Sequence, residues 1–408
     1  MLGNRAVVLA KHTTTTPAVA IHLAVRAGSI ADPSDAVGLA WLLSRTIDRG
    51  TPSRSPAQIA EELDSRGITV TVLVTRHLFS LVCTCLADDF EPVLDLLGEM
   101  VTAPTVPAEE LVTRKGEVIT AIRQDEDNPA VRASETLMAL LYPDGHPYGR
   151  PTKGSVETVE AMTRDRVLAL HHERFAPAAL TAAIVGDVDV GRAREEAARV
   201  FGGWAPRAVP SDHLPPVARA PSRRRVVIPM MNKAQADIAY GFTTIARTDP
   251  AYYAYWLMNV ILGQYALGGR LGDTIREREG MAYYVSSSLD ANVVEGPLVI
   301  RAGVGPANVD RAVAAIDNEI RRLVADGVTA KELDESRRFL IGSIPRALET
   351  TAAIANFLQN ADFFGLGLDY DARLSTLLEA VTLDEVNEAA RRAVDVDRAT
   401  TVIAGPYQ

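Results

Sequence analysis

Cysteine is nearly absent from this chain: there are two, Cys83 and Cys85, inside one apolar run. Residues i and i+2 of a strand share a face, so both are expected to be buried thiols. Two cysteines at that spacing make neither a disulfide framework nor a metal site, and the count suits a reducing compartment. Long apolar runs are missing too. No stretch reaches the roughly 18 apolar residues of a transmembrane helix, and the first residues lack the basic–apolar–small layout of a signal peptide. A cytoplasmic protein with no membrane partner is therefore expected. Positive charge is in deficit, with 42 Lys and Arg against 52 Asp and Glu and a net charge of −10. That argues against nucleic acid or an anionic membrane as partner, and it names no substrate. Self-sufficient hydrolytic chemistry is also missing. There is no Gly-x-Ser-x-Gly, no Cys/His constellation and no phosphate loop. The seven histidines never recur at i+3 or i+4, so no helical zinc motif can be built from them. The run His171-His172-Glu173 reads as a surface stretch before a loop.

What is present is a globular composition, 47% hydrophobic and 23% charged, over 408 residues. That is long for one core. Strands are expected at 5–10, 19–26, 68–75, 78–86 and 180–185, with helices between them. Residues 204–223 carry five prolines and can pack neither as helix nor as central strand. After them the pattern repeats in outline, with strands at 224–229, 236–243, 284–289, 298–303 and 400–404. The expected fold is α+β: two homologous α/β domains, each an antiparallel-rich sheet flanked by helices, related by internal duplication. The first spans 1–205, a Pro-rich linker 206–223, and the second 224–408.

Residues 38–51, GLAWLLSRTIDRGT, read as a helix of about three turns with a Gly-Thr stop. Leu39, Leu42, Leu43 and Ile47 fall at helical spacing and face a core. Trp41 and Arg45, at i and i+4, project side by side, with Ser44 on a neighbouring face. In its frame of Gly38, Leu39, Ala40, Leu43, Gly50 and Thr51, the stretch resembles the zinc helix of the pitrilysin/insulinase family of peptidases. That helix carries an inverted His-x-x-Glu-His motif. Here Trp41 stands for the first His, Ser44 for the Glu and Arg45 for the second His. Zinc needs donor lone pairs; an indole offers none and a guanidinium is a fixed cation. The Glu would have been the general base. Ala121 occupies the place of the family's third ligand, a Glu. The resemblance therefore implies no metal and no catalytic residue in this chain alone.

The likeness continues along the chain in order. Ala27-Gly28-Ser29, residues 125–129, the loop 146–154, and Arg174-Phe175 with Pro177 and Val185-Gly186-Asp187 all resemble family segments. So do Gly269-Arg270-Leu271, Arg276, Gly280, Ala282 and Tyr283. In the family an Arg and a Tyr of the second half bind the scissile peptide; they correspond to Arg276 and Tyr283. Tyr284 is expected on the opposite face, as a structural residue. Residues 263–269, GQYALGG, lie where relatives carry a Gly-rich loop. Half-sized members resemble clamshells of two subunits. The implied function is a non-catalytic, substrate-binding subunit of a heterodimeric zinc metallopeptidase, with zinc in a motif-bearing paralogous partner. The alternative is a structural or peptide-binding scaffold of the same fold.

Overall fold

The computed structural model describes residues 1–212, 214–264 and 268–408. His213, and residues 265–267 of the expected Gly-rich loop, lie outside the described residues. The first sheet contains β1 (Val7–His12), β2 (Ala18–Val25), β3 (Thr71–Val74), β4 (Phe79–Leu86) and β5 (Leu180–Gly186). The second contains β6 (Arg224–Pro229), β7 (Ala236–Thr243), β8 (Ala282–Leu289), β9 (Pro297–Val304) and β10 (Thr400–Gly405). Their orders are β1-β5-β2-β4-β3 and β6-β10-β7-β9-β8. In each sheet the first and last strands pair in parallel and the other neighbours pair antiparallel. A parallel pair needs a long crossover, and here nearly the whole half-chain supplies it. The second sheet repeats the first strand for strand, which is the duplication expected from the sequence.

The chain forms two compact units that do not follow the division at 205 and 224. One comprises residues 1–123, 151–213 and 345–368; the other 124–150, 214–344 and 369–408. Two helices are exchanged. Helix Pro129–Leu141 packs on β7 and β10 of the second sheet, and helix Thr351–Phe363 packs on β5 and β2 of the first. Small residues on the receiving sheets explain the fit. A Cβ at Gly241 would lie 2.9 Å from Leu137 Cδ2 and 3.1 Å from Leu141 Cδ1, so glycine lets the leucines of that helix sit close against the strand. On the first sheet Ala20 and Ala183 receive Ala355 in one buried cluster. Thr181 Oγ1 donates to Asp362 Oδ2 at 2.8 Å beside it. The Pro-rich residues 214–222 carry no helix or strand.

The first core gathers Leu39, Leu42, Leu43 and Ile47 with Phe79, Phe90 and Phe175. Burying side chains of this size is worth about 1.5–3 kcal/mol each. Cys83 and Cys85 are buried free thiols, and burial pushes the Cys85 thiol up to about 11. Such thiols are unreactive. His171 corrects the reading of residues 171–173 as a surface stretch. It is buried, stacks on Phe175 at 4.5 Å between ring centroids, and has its Nε2 2.8 Å from Val101 O. Helices Val190–Phe201 and Tyr370–Glu379 were not expected from the sequence. Among the described residues no helix is long and apolar enough to cross a membrane.

Candidate functional site

The helix at the centre of the sequence reading is shorter than three turns: it spans Leu39–Ser44, and turns follow to Gly50. Its N-terminus is held from outside. Asp32, buried, accepts the backbone N–H groups of Gly38 and Ala40, both at 2.8 Å. A carboxylate there satisfies two donors that the helix cannot and complements its dipole. Gly38 has φ +95° and Gly154 φ +77°. A Cβ on Gly38 would lie 2.3 Å from Lys153 O, and one on Gly154 2.1 Å from Val37 O. The two backbones touch, so each must be glycine. The frame around the degenerate motif is thus held by packing, whatever the motif's chemistry.

The motif positions are spent on other contacts. Trp41 is half-exposed, with the Lys153 ammonium 5.7 Å above its ring. Ser44 is buried, and its hydroxyl donates to Trp41 O at 2.7 Å. Arg45 is exposed. Burial raises the Asp48 carboxyl, while Arg49, Arg45 and Arg114 favour its ionised form. Arg114 lies on helix Ala108–Glu126, which also carries the half-buried Ala121. Where a zinc site would need nitrogen and oxygen ligands, this corner offers an indole, a committed hydroxyl, a guanidinium and a methyl group. That set does not fit zinc. Among the described residues no three His, Cys, Asp or Glu side chains are grouped to hold a metal. Trp41→His, Ser44→Glu and Arg45→His together are expected to leave the chain without stoichiometric zinc by atomic absorption, because Ala121 still lacks a carboxylate. Stoichiometric zinc in that triple variant would show that three ligands are not required.

Arg276 and Tyr283 belong to the second unit. Arg276 lies on the π-helical stretch Gly272–Arg278, a wider turn often found at functional sites. Its side chain is 46% exposed, and its ion-pair contact is Glu277 at 4.0 Å. An exposed pair at that distance holds little. The chain turns at Gly280, φ +61°, and enters β8. There Ala282 lies opposite Val304 and Tyr284 opposite Gly303. Tyr283 is therefore the extra residue of a β-bulge, and it is 69% exposed. Bulges re-aim a side chain at strand ends. The neighbouring residues have structural roles. Tyr284 donates from its hydroxyl to Asp237 Oδ1 at 2.6 Å, and burial and that carboxylate raise its pKa. Arg270 grips Glu332 through Nε at 2.6 Å and Nη2 at 2.9 Å. Burial would raise the Glu332 carboxyl, but Arg270 and Thr329 hold it down at about 2. The bulge was not legible in the sequence; Gly280, three residues earlier, was the one local sign of an irregular entry into the strand.

Sequence profiles settle the relationship. The profile described as "Insulinase (Peptidase family M16)" matches residues 7–154, and "Peptidase M16 inactive domain" matches residues 161–340. The chain belongs to the pitrilysin/insulinase family. It is an M16 chain that lacks the catalytic motif. An uncharacterized zinc protease of Mycobacterium tuberculosis is 27% identical over 392 residues, 94% of this M16 chain and 87% of that protein. The non-peptidase homolog YmxG of Helicobacter pylori is 22% identical over 388 residues, 94% of this chain and 88% of that one. Among solved structures, a peptidase M16 inactive domain from Pseudomonas fluorescens superposes with a TM-score of 0.91 at 26% identity, covering 99% of this chain and 97% of that one. The solved structure from Pseudomonas fluorescens shares this fold over nearly its whole length. In this chain the motif helix of the first unit has lost its metal chemistry, while the second unit presents Arg276 and Tyr283 to solvent.

Proposed function

We propose that this chain is the non-catalytic, substrate-binding subunit of a heterodimeric zinc metallopeptidase. A paralogous partner carries the zinc motif, and this chain supplies Arg276 and Tyr283 to the partner's zinc centre. The observation that carries this is the exposure of Arg276 together with the bulge that presents Tyr283, beside an Arg and a Tyr that are committed to packing. A guanidinium and a phenol can both donate hydrogen bonds to a peptide carbonyl and to the oxyanion it becomes. Zinc, held by the partner, supplies the Lewis acid; this chain orients the peptide and stabilises developing charge. β3 and β8 end their sheets, and an extended peptide can add to such an edge through its main chain, with little demand on sequence. The net charge and the buried thiols suit a cytoplasmic setting.

The test uses a quenched fluorescent peptide library with zinc analysis. This chain, its motif-bearing partner recovered by pull-down, and the mixture are compared. Cleavage confined to the mixture, or far stronger there, is the expected result. Stoichiometric zinc and cleavage by this chain alone would overturn the reading. A stable complex without any gain in cleavage would favour the second reading, a scaffold or peptide-binding protein. The naming of a Helicobacter pylori relative as a non-peptidase homolog speaks for that reading.

A further inference from the structure

The stretch that carries Arg276 is held in an uncommon shape by side chains that the peptide chemistry above does not use. Gly272–Arg278 is π-helical: the Glu279 N–H donates at 3.1 Å to Thr274 O, five residues back, where an α-helix would bond four back. The Met281 N–H then donates to Ile275 O at 3.0 Å. One residue of helical register is a rotation of about 100°. Relaxation of the wide turn to an α-helix would therefore swing Arg276 away from its present direction. Uncommon backbone of this kind persists where its surroundings over-determine it.

Two carboxylates, each on a different helix, hold this turn. At its start Arg270, half-buried, grips Glu332 through Nε at 2.6 Å and Nη2 at 2.9 Å, and Nη2 also donates to Gly327 O at 2.7 Å. Glu332 is itself fixed at the start of helix Ala330–Ala347, where it accepts the Thr329 N–H and the Thr329 hydroxyl, both at 2.8 Å. Inside the turn Thr274 Oγ1 donates to Glu319 Oε1 at 3.0 Å. Glu319 lies on helix Val309–Ala325 and is 3% exposed. The same oxygen accepts from Arg322 Nη1 at 2.7 Å. A carboxylate is costly to bury unless it is paired and hydrogen-bonded, so the contact to Thr274 is part of what keeps Glu319 there. Thr274 is thus engaged twice, by its carbonyl to Glu279 and by its hydroxyl to Glu319. Ile275 is fully buried beside it, whereas Arg276 is exposed. The anchors lie on the packed side of the turn and the guanidinium on the open side.

We propose that Arg270 and Thr274 are positioning residues for the peptide site: through Glu332 and Glu319 they hold the π register that turns the Arg276 guanidinium to the substrate. This rests on the reading of Arg276 as a substrate-binding residue. The register is tested on the full chain alone, and its consequence on the complex with the motif-bearing partner. In hydrogen exchange of the chain, the Glu279 and Met281 amides should lose protection at least ~10-fold in Thr274→Val and keep it in Thr274→Ser, which retains the hydroxyl. In steady-state kinetics of the complex, Thr274→Val and Arg270→Lys should each lower kcat at least ~10-fold, with less effect on KM, and Thr274→Ser should keep the rate. In the Arg276→Ala background Thr274→Val should slow cleavage no further, since no guanidinium is left to aim. A merely structural role would slow both backgrounds alike. If Thr274→Val fails to fold by circular dichroism, Arg270→Lys carries both measurements, since it keeps the charge and loses the fork. Three results would overturn the positioning and leave Arg276 as a substrate-binding residue: unchanged amide protection in Thr274→Val, full kcat in both anchor variants beside a slow Arg276→Ala, or equal slowing in both backgrounds. Full kcat in Arg276→Ala would overturn both readings together.

Discussion

Tyr283→Phe and Arg276→Ala are each expected to slow peptide cleavage by the assembled complex about 10²–10³-fold, the usual cost of one oxyanion donor. The loss should fall on kcat more than on KM, because the hydrogen bond strengthens as the carbonyl becomes an oxyanion. Folding should be untouched. Both side chains are exposed, Tyr283 at 69%, and such surface changes usually stay within about 0.5 kcal/mol. Tyr284→Phe is the matched control. It removes the 2.6 Å hydrogen bond to Asp237 and leaves that carboxylate short of a donor, so it should cost about 1–3 kcal/mol of stability and leave the rate alone. The measurement is steady-state kinetics of the purified complex, alongside thermal unfolding of each variant. Unchanged kinetics in both the Arg276 and the Tyr283 variants would reject the catalytic contribution and leave the scaffold reading.

The first unit should lose stability steeply in mild acid. His22, His77 and His171 are buried neutral, and burial pushes each down to about 4 from its ordinary 6.5, with Arg76 adding to the effect at His77. The unfolded chain takes up these protons near pH 6.5 and the folded chain only near 4. Between those values the unfolded state binds more protons, so stability falls as pH falls. Each histidine would contribute about 2–3 kcal/mol across that window, against total domain stabilities of about 5–15 kcal/mol. Denaturant midpoints measured from pH 7 to 4.5 should therefore drop sharply, and His22→Gln should flatten the profile. A midpoint that stays level over that range would mean that these imidazoles are already solvated in the folded state.

The local features follow from the chain itself. Alternating apolar residues placed all ten strands to within about three residues, and the repeat of the pattern after the Pro-rich segment implied the duplication. The loss of zinc chemistry was legible for the same kind of reason. Whether Trp41, Ser44, Arg45 and Ala121 can donate lone pairs depends on residue type and not on surroundings. Glycine positions carried information as well, because Gly38 and Gly154 are required by a contact that no side chain survives.

Other features depended on contacts distant in the chain. Helices Pro129–Leu141 and Thr351–Phe363 each have an apolar face, but the choice of sheet rests on Gly241 in one case and on Ala20 and Ala183 in the other. Periodicity describes a helix's own face and is silent about its acceptor, so the exchange between units could not be read beforehand. His171 looked like part of a polar surface run until Phe175 and Val101 closed around it. Tyr283 and Tyr284 are the same residue type side by side. A register shift against β9 turns one to solvent and the other to Asp237. The sequence by itself determined the repeated α/β pattern and the loss of the catalytic motif, because both rest on the local order and chemistry of side chains. Tertiary structure alone decided which helix covers which sheet, which histidines are dry and which tyrosine is free to act, because each depends on surfaces brought together from distant parts of the chain.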